Sequence, residues 1–195
     1  AGAALDWWRR VSGGASFDDL VEETAAVPPG SAGVTFLPYL TGERTPHADA
    51  NARGVFSGIH GGIERAHMTR AVMEGVSFAL KDSVVLMSAL GVDPSTVVAV
   101  GGGASSPAWL QMLSDVLNLP LRTVGPSDGA PLGAAMLAAV GTGAFKSAVE
   151  AGEAWLTDLT AVGPVGNVQD EYANAYERYQ SLYPALKDTF EKNAQ

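Results

Sequence analysis

From about His67 to Leu90, apolar residues recur at helical spacing: Met68, Val72, Val76, Leu80, Val84 and Met87 fall on one stripe, and Gly91 closes the segment. A period near 3.6 residues sustained over that length predicts one long amphipathic helix. Shorter segments read the same way. Residues 3–11 carry Leu5, Trp7, Trp8 and Val11 ahead of the stop Ser12-Gly13-Gly14. Residues 17–27 follow Ser16, a good N-cap, place Asp18 and Asp19 at the positive end of the helix, and stop at Pro28-Pro29-Gly30. Residues 107–117 turn Leu110, Leu113, Val116 and Leu117 inward, and residues 147–156 and 169–192 read as two further helices. Residues 130–140 form a small-residue helix, in which Gly133, Ala134, Ala135, Ala138 and Ala139 permit close packing on a neighbour.

Between these helices lie short β-type runs. Residues 34–37 end at Pro38, and residues 54–59 form a second run. The segment joining them is long for a compact domain, and such loops are often functional. Residues 96–100 are a β-branched run between a Pro turn and a triple glycine, the pattern of a strand covered on both faces. Residues 121–124 are a further strand. Strands alternating with helices predict an α/β fold, a mixed sheet flanked by helices. At 195 residues the chain fits one domain, 1–195.

Composition narrows the function classes. A net charge of -9 spread along the chain disfavours nucleic acid and anionic lipid as partners. ATP is not disfavoured, because a nest of backbone N–H groups holds a small anion against an adverse global field. With no cysteine, disulfides, thiolate metal sites and cysteine nucleophiles are excluded, which suits a cytoplasmic protein. No apolar run is long enough for a membrane span. His47, His60 and His67 are too scattered to make a ligand set, so no metal site is expected within the chain.

The strongest candidate for chemistry is the order strand, then Gly101-Gly102-Gly103-Ala104-Ser105-Ser106, then helix. A phosphate approaches a backbone closely only where side chains are absent, and a helix start supplies unpaired N–H groups. The stretch is neither a Walker A loop nor a dinucleotide Gly-x-Gly-x-x-Gly turn. The same residues also suit a tight turn with no ligand, and the pattern does not choose between them. Glu43 and Arg44 line a cleft or form a solvated ion pair, the latter being the commoner arrangement for a loop. Glu74 and Asp115 read as polar partners of neighbouring elements, and Trp7, Trp8, Trp109 and Trp155 as core or interface aromatics. The N–H groups near Asp128 and Gly129 are a second candidate for facing a ligand.

Three stretches carry a resemblance. Gly54-x-Phe56-x-Gly58-Ile59, followed after seven residues by His67-Met68-Thr69-Arg70-Ala71-Val72-Met73-Glu74, resembles a signature of the FGGY carbohydrate kinases. The run Phe36-Leu37-Pro38-Tyr39-Leu40-Thr41-Gly42-Glu43-Arg44-Thr45-Pro46-His47 is similar to the D-xylulose-using branch of that family. Gly101 to Ala104 with Gln111 and Asp115, and Gly129 to Ala135, are similar to its adenosine motif and its last conserved helix.

The resemblance implies a ribonuclease H-like domain of the actin-like ATPases, C-terminal in a sugar kinase and nucleotide-binding. It implies ATP and Mg²⁺ as cofactors, with Mg²⁺ held mainly through ATP and the other domain. Gly2 and Asp6 fall where the family's first helix approaches the nucleotide, and Gly102, Gly103 and Ala104 where backbone meets adenosine and phosphates. Pro107 stands where some relatives have a base-contacting Asn, so that side-chain bond is not carried over.

The implied reaction is transfer of the ATP γ-phosphoryl to the 5-hydroxyl of D-xylulose. The sugar and the catalytic Asp belong to an N-terminal domain outside these residues, so no catalytic residue is expected here and the chain alone is expected to be inactive. An incomplete N-terminal side would leave residues 96–100 with an unpaired edge that favours a homo-oligomer or strand exchange. Alternatives are another FGGY kinase of ribulokinase, gluconokinase or glycerol kinase type, or a non-catalytic nucleotide-binding module.

Overall fold

The computed structural model describes residues 2–95, 97–123, 129–156 and 160–194. The chain divides into two compact units: residues 1–94, 115–118 and 165–195 in the first, and residues 95–114 and 119–164 in the second.

In the first unit, α1 (Gly2–Val11) lies against the antiparallel pair β1 (Thr35–Leu37) and β2 (Val55–Ser57), whose register sets Phe36 opposite Phe56. The Trp7 ring stacks on Phe36 with centroids 5.9 Å apart, and Trp8 meets Phe56 edge-on at 5.5 Å. Trp8 is buried and its indole N–H donates to the Thr69 hydroxyl at 2.8 Å, so a polar atom in the core has its partner. Val11, expected in the apolar set, is 57% exposed. α2 (Phe17–Glu23) has the cap its sequence called for: Ser16 Oγ accepts the Asp19 N–H at 3.1 Å, and Asp19 accepts that of Ser16 at 3.3 Å.

The central element is α3 (Arg65–Ala89), with residues 71–78 buried on every side. The sequence stripe predicts a covered face along its whole length. The structure differs: Leu80, Val85, Leu86 and Met87 are exposed. Strands of three residues span about 10 Å, whereas a 25-residue helix runs about 37 Å, so the β1–β2 pair covers only its first half. α7 (Gln169–Asn193) turns Tyr172, Ala175, Tyr176, Tyr179, Tyr183 and Phe190 inward, one face of a helix, and Phe78 of α3 packs on the first three of those tyrosines with centroids 5.4–6.5 Å apart.

Beneath this aromatic layer Asp82 is buried and accepts the Tyr176 O–H at 2.5 Å. Burial pushes its pKa above the ordinary 3.8, against the pull of the Tyr176 hydroxyl, His47 and the Tyr179 hydroxyl. A carboxyl raised on folding adds stability that is complete below its unfolded pKa and is lost as pH rises through its folded one. Asp82→Asn removes this titration. Thermal melts from pH 4 to 7 are expected to show a smaller fall with rising pH in the variant, and an unchanged slope would count against the assignment.

The second unit holds a mixed sheet in the order β3 (Val97–Ala99), β4 (Leu121–Thr123), β5 (Thr160–Val162), with β3 parallel and β5 antiparallel to β4. Val98 and Val100 are 50% and 57% exposed, and among the described residues β3 pairs with β4 alone, so the expectation of a strand covered on both faces does not hold. α4 (Pro107–Leu117) follows β3, its last turn grouping with the first unit. α5 (Ala130–Gly141) buries Met136, while a Cβ added at Gly133 would meet open space, so the small-residue face does not pack closely at that position. α6 (Ala148–Trp155) is capped by Ser147. Thr96, Val124 and Asp128 lie outside the described residues.

Candidate functional site

Gly101 leaves β3 with φ +92°, and Gly102–Ser105 close a single 3-10 turn before α4. Ala104 N–H donates to Gly101 O at 2.9 Å and Ser106 N–H to Gly103 O at 3.3 Å. Ser106 caps α4, its Oγ accepting the Trp109 N–H at 3.3 Å and its carbonyl the Leu110 N–H at 2.9 Å. The N–H groups of Gly102 and Gly103 have no acceptor among the described residues. Gly102 is open to solvent, whereas a Cβ on Gly103 would lie 3.3 Å from the Trp109 ring, which forms the floor of the turn. Three of the sequence candidates, Gly102, Gly103 and Ala104, thus share one turn with two free donors, the arrangement that accepts a phosphate or nucleoside oxygen.

Gly2 and Asp6 sit one turn apart on α1, in the first unit. Gly2 opens the helix in free space. The Asp6 carboxylate is engaged by its own helix, with Arg9 Nη2 at 3.2 Å and Arg10 Nε at 3.3 Å. Each set is defined within its own unit.

The loop of residues 38–54 is the other chemically rich region. Glu43 and Asp49 form an antiparallel bridge, Glu43 N–H to Asp49 O at 2.8 Å and Asp49 N–H to Glu43 O at 2.7 Å. Glu43 does not pair with Arg44 as a solvated ion pair would require: its Oε1 accepts the Thr45 N–H at 2.7 Å. Burial pushes the Glu43 pKa up and that of His47 down, leaving the imidazole neutral at neutral pH. His47 stacks face to face on Tyr183 with centroids 3.6 Å apart, and Tyr183 O–H donates to Asp49 Oδ2 at 2.9 Å. Tyr39 and Tyr179 share a 2.8 Å hydroxyl hydrogen bond.

This part of α7 in the site was missed by the sequence reading. The available signal was the tyrosine spacing 172, 176, 179, 183, which marks a helix face built to meet other aromatic and polar groups.

Glu74 is a structural partner, as expected: it is buried and takes hydrogen bonds from Gly30 N–H, the Ser31 hydroxyl and Arg70 Nε. Asp115 likewise accepts the Val165 N–H at 2.7 Å. Among the described residues no group of three or more His, Asp or Glu side chains is placed to hold a metal ion, and no helix is long and apolar enough to cross a membrane.

The fold is that of a carbohydrate kinase domain, and the chain belongs to the FGGY family of carbohydrate kinases, whose C-terminal domain model matches residues 1–142. Its relatives include the xylulose kinase of Bacillus subtilis, 39% identical over 189 residues, covering 96% of this chain and 38% of the relative. Among solved structures, a ligand-bound xylulose kinase from Lactobacillus acidophilus superposes with a TM-score of 0.87 at 28% identity, covering 98% of this chain and 39% of the other. A gluconate kinase from the same organism matches with a TM-score of 0.87 at 29% identity over the same shares. The chain therefore spans a little under two-fifths of the length of these relatives. The ribonuclease H-like, actin-like expectation for the fold agrees with these neighbours.

Proposed function

We propose that residues 1–195 are the C-terminal, nucleotide-binding domain of a kinase that transfers the γ-phosphoryl of ATP to the 5-hydroxyl of D-xylulose. The observation that carries this reading is the open turn Gly101–Ser105, with two unpartnered N–H groups, in a chain whose relatives are xylulose kinases. The turn's backbone would hold the nucleotide, with Gly2 and Asp6 of α1 as further contacts. Mg²⁺ would neutralise charge on the phosphates. We assign it to ATP and to the remainder of the polypeptide, together with the sugar pocket and the general base. We place the protein in the cytoplasm, without nucleic-acid or membrane partners.

The deciding assay gives the complete polypeptide ATP with D-xylulose, ribulose, gluconate or glycerol and compares kcat/KM. Preference for D-xylulose is expected. Preference for gluconate would follow the other close structural neighbour and replace the substrate. No transfer to any of the four, with ATP still bound, would make the domain a non-catalytic nucleotide module.

Gly103→Val tests the turn. A branched side chain would press on Trp109, 3.3 Å from the new Cβ, and screen the free N–H groups. Losing about one charge-assisted hydrogen bond corresponds to a roughly tenfold rise in the KM for ATP. The KM for the sugar should stay within about twofold. An unchanged ATP KM in a folded variant would remove Gly103 from the site.

A further inference from the structure

The loop of residues 38–54 is stiff within itself. The Glu43–Asp49 bridge ties its two arms, Ala48 N–H closes the tip on Arg44 O at 3.2 Å, and the carboxyl groups of Glu43 and Asp49 accept the Thr45 and Asn51 N–H groups at 2.7 and 2.8 Å. Its hold on α7 is of another kind. Among the described residues every hydrogen bond between them runs side chain to side chain: Tyr39 to Tyr179 at 2.8 Å and Tyr183 to Asp49 at 2.9 Å, with the His47 ring stacked on Tyr183.

This contact adjoins a buried carboxyl without a counter-charge. Asp82 of α3 is 7% exposed, accepts the Tyr176 O–H at 2.5 Å and is also drawn on by the Tyr179 hydroxyl, the one that holds Tyr39. Among the described residues it makes no ion pair: Lys81, its neighbour on α3, lies over the Tyr176 ring at 4.7 Å instead. From the loop it faces His47, whose positive form attracts its charge, and Glu43, whose negative form repels it. Burial pushes the hydroxyls of Tyr39, Tyr176 and Tyr179 well up, so all three stay protonated and act only through hydrogen bonds.

We propose that Asp82 is the trigger of a pH-operated clasp: while it carries its proton the loop stays fastened to α7, and when it ionises the loop detaches. An ionised carboxylate in that place has phenolic donors but no cation, and only water supplies the missing solvation. The loop is the cover that yields, because α3 and α7 keep their own backbone hydrogen bonds when it leaves. The Asp82 contribution to closure is complete below the ordinary 3.8 and is lost as pH rises through the value to which burial raises it. Glu43, also raised by burial, acts with the same sign. His47, lowered by burial, and Asp49, lowered by the Asn51 N–H, oppose it, since their contributions are lost as pH falls. The clasp stands apart from the kinase reading.

The test follows hydrogen exchange of the complete polypeptide from pH 5 to pH 8, with protection corrected for intrinsic exchange at each pH. Asp82→Asn keeps the volume and does not ionise. Its protection over residues 40–51, divided by that of the wild type, is expected to rise about tenfold across this range, the titrations of Glu43, His47 and Asp49 being common to both proteins. Residues 71–78 of α3 are expected to exchange about tenfold or more slower than the loop at every pH, since the loop opens without global unfolding. Tyr179→Phe removes the hydroxyl shared with Tyr39 and is expected to lower loop protection about tenfold at pH 5. A ratio constant within about twofold, a loop as protected as residues 71–78, or full loop protection in Tyr179→Phe would each overturn the proposal.

Discussion

Gly75→Ala is expected to destabilise the protein by about 3 kcal/mol, the upper end for forcing an extra methyl into a packed interior. Where α3 crosses β1, a Cβ at position 75 would stand 2.2 Å from the Phe36 carbonyl oxygen, 3.1 Å from its carbonyl carbon and 3.3 Å from its Cβ. The obstructing atoms are backbone, so no rotamer change relieves the clash. The helix would have to lift by about 1 Å to restore an ordinary carbon–oxygen contact. Lifting it loosens residues 71–78, the most thoroughly buried stretch of α3, and with them the Trp7–Phe36–Phe56 stack. A urea midpoint lowered by the equivalent of less than about 1 kcal/mol would show that the crossing is looser than this geometry states.

Gly75 also illustrates what the sequence could and could not tell. The helix around it was legible from apolar spacing, because period alone separates helix from strand over two dozen residues. Helix 107–117 matched its expected bounds, and α2 its expected cap, because Ser16 and Asp19 act through local hydrogen bonds that need no tertiary partner. Burial was less legible. The stripe on α3 continues past Leu80 although β1 and β2 cover only the first half, and a periodic pattern carries no information on how far the covering element extends. The strand β5 was not anticipated. Three residues give too short a run to show alternation, and its pairing with β4 is a long-range contact.

The site divides along the same line. The glycine turn was legible because its chemistry is local: a strand end, absent side chains and a helix start within a few residues. The loop at Glu43 and Arg44 was legible as a motif but not as a structure. Its brace comes from Tyr179 and Tyr183, some 140 residues away, on a helix lying outside the span that the family model matches. The ion pair expected between Glu43 and Arg44 fails for a local reason. A backbone N–H two residues on lies within reach of Glu43 at no cost in side-chain ordering, and it wins over an exposed guanidinium whose charge water already solvates.

Glu74→Ala is expected to be the most damaging single change, about 3–5 kcal/mol, because it strands a buried cation. The carboxyl is 2% exposed; Oε1 accepts Gly30 N–H at 3.0 Å and Arg70 Nε at 2.9 Å, and Oε2 accepts the Ser31 hydroxyl at 2.7 Å. Burial pushes its pKa up, and Arg70, the Ser31 hydroxyl and the Gly30 N–H pull it back. Arg70 Nη2 donates in turn to Tyr172, whose own hydroxyl is pushed up by burial to about 12 and so stays protonated at neutral pH. Alanine would leave the Arg70 guanidinium without its carboxylate and the Gly30 N–H and Ser31 hydroxyl without their acceptor at once, releasing α3 from residues 30–31. Glu74→Gln keeps an acceptor oxygen and the volume but not the charge, so a smaller loss of about 2 kcal/mol is expected. The double variant Arg70→Met with Glu74→Leu should recover much of the stability lost in Glu74→Ala, since an apolar pair of similar volume leaves no buried charge unpaired. Urea midpoints of the four proteins measure the series. If Glu74→Gln instead kept full stability but lost phosphoryl transfer, the residue would belong to the chemistry, because a purely architectural carboxylate cannot separate those two readouts.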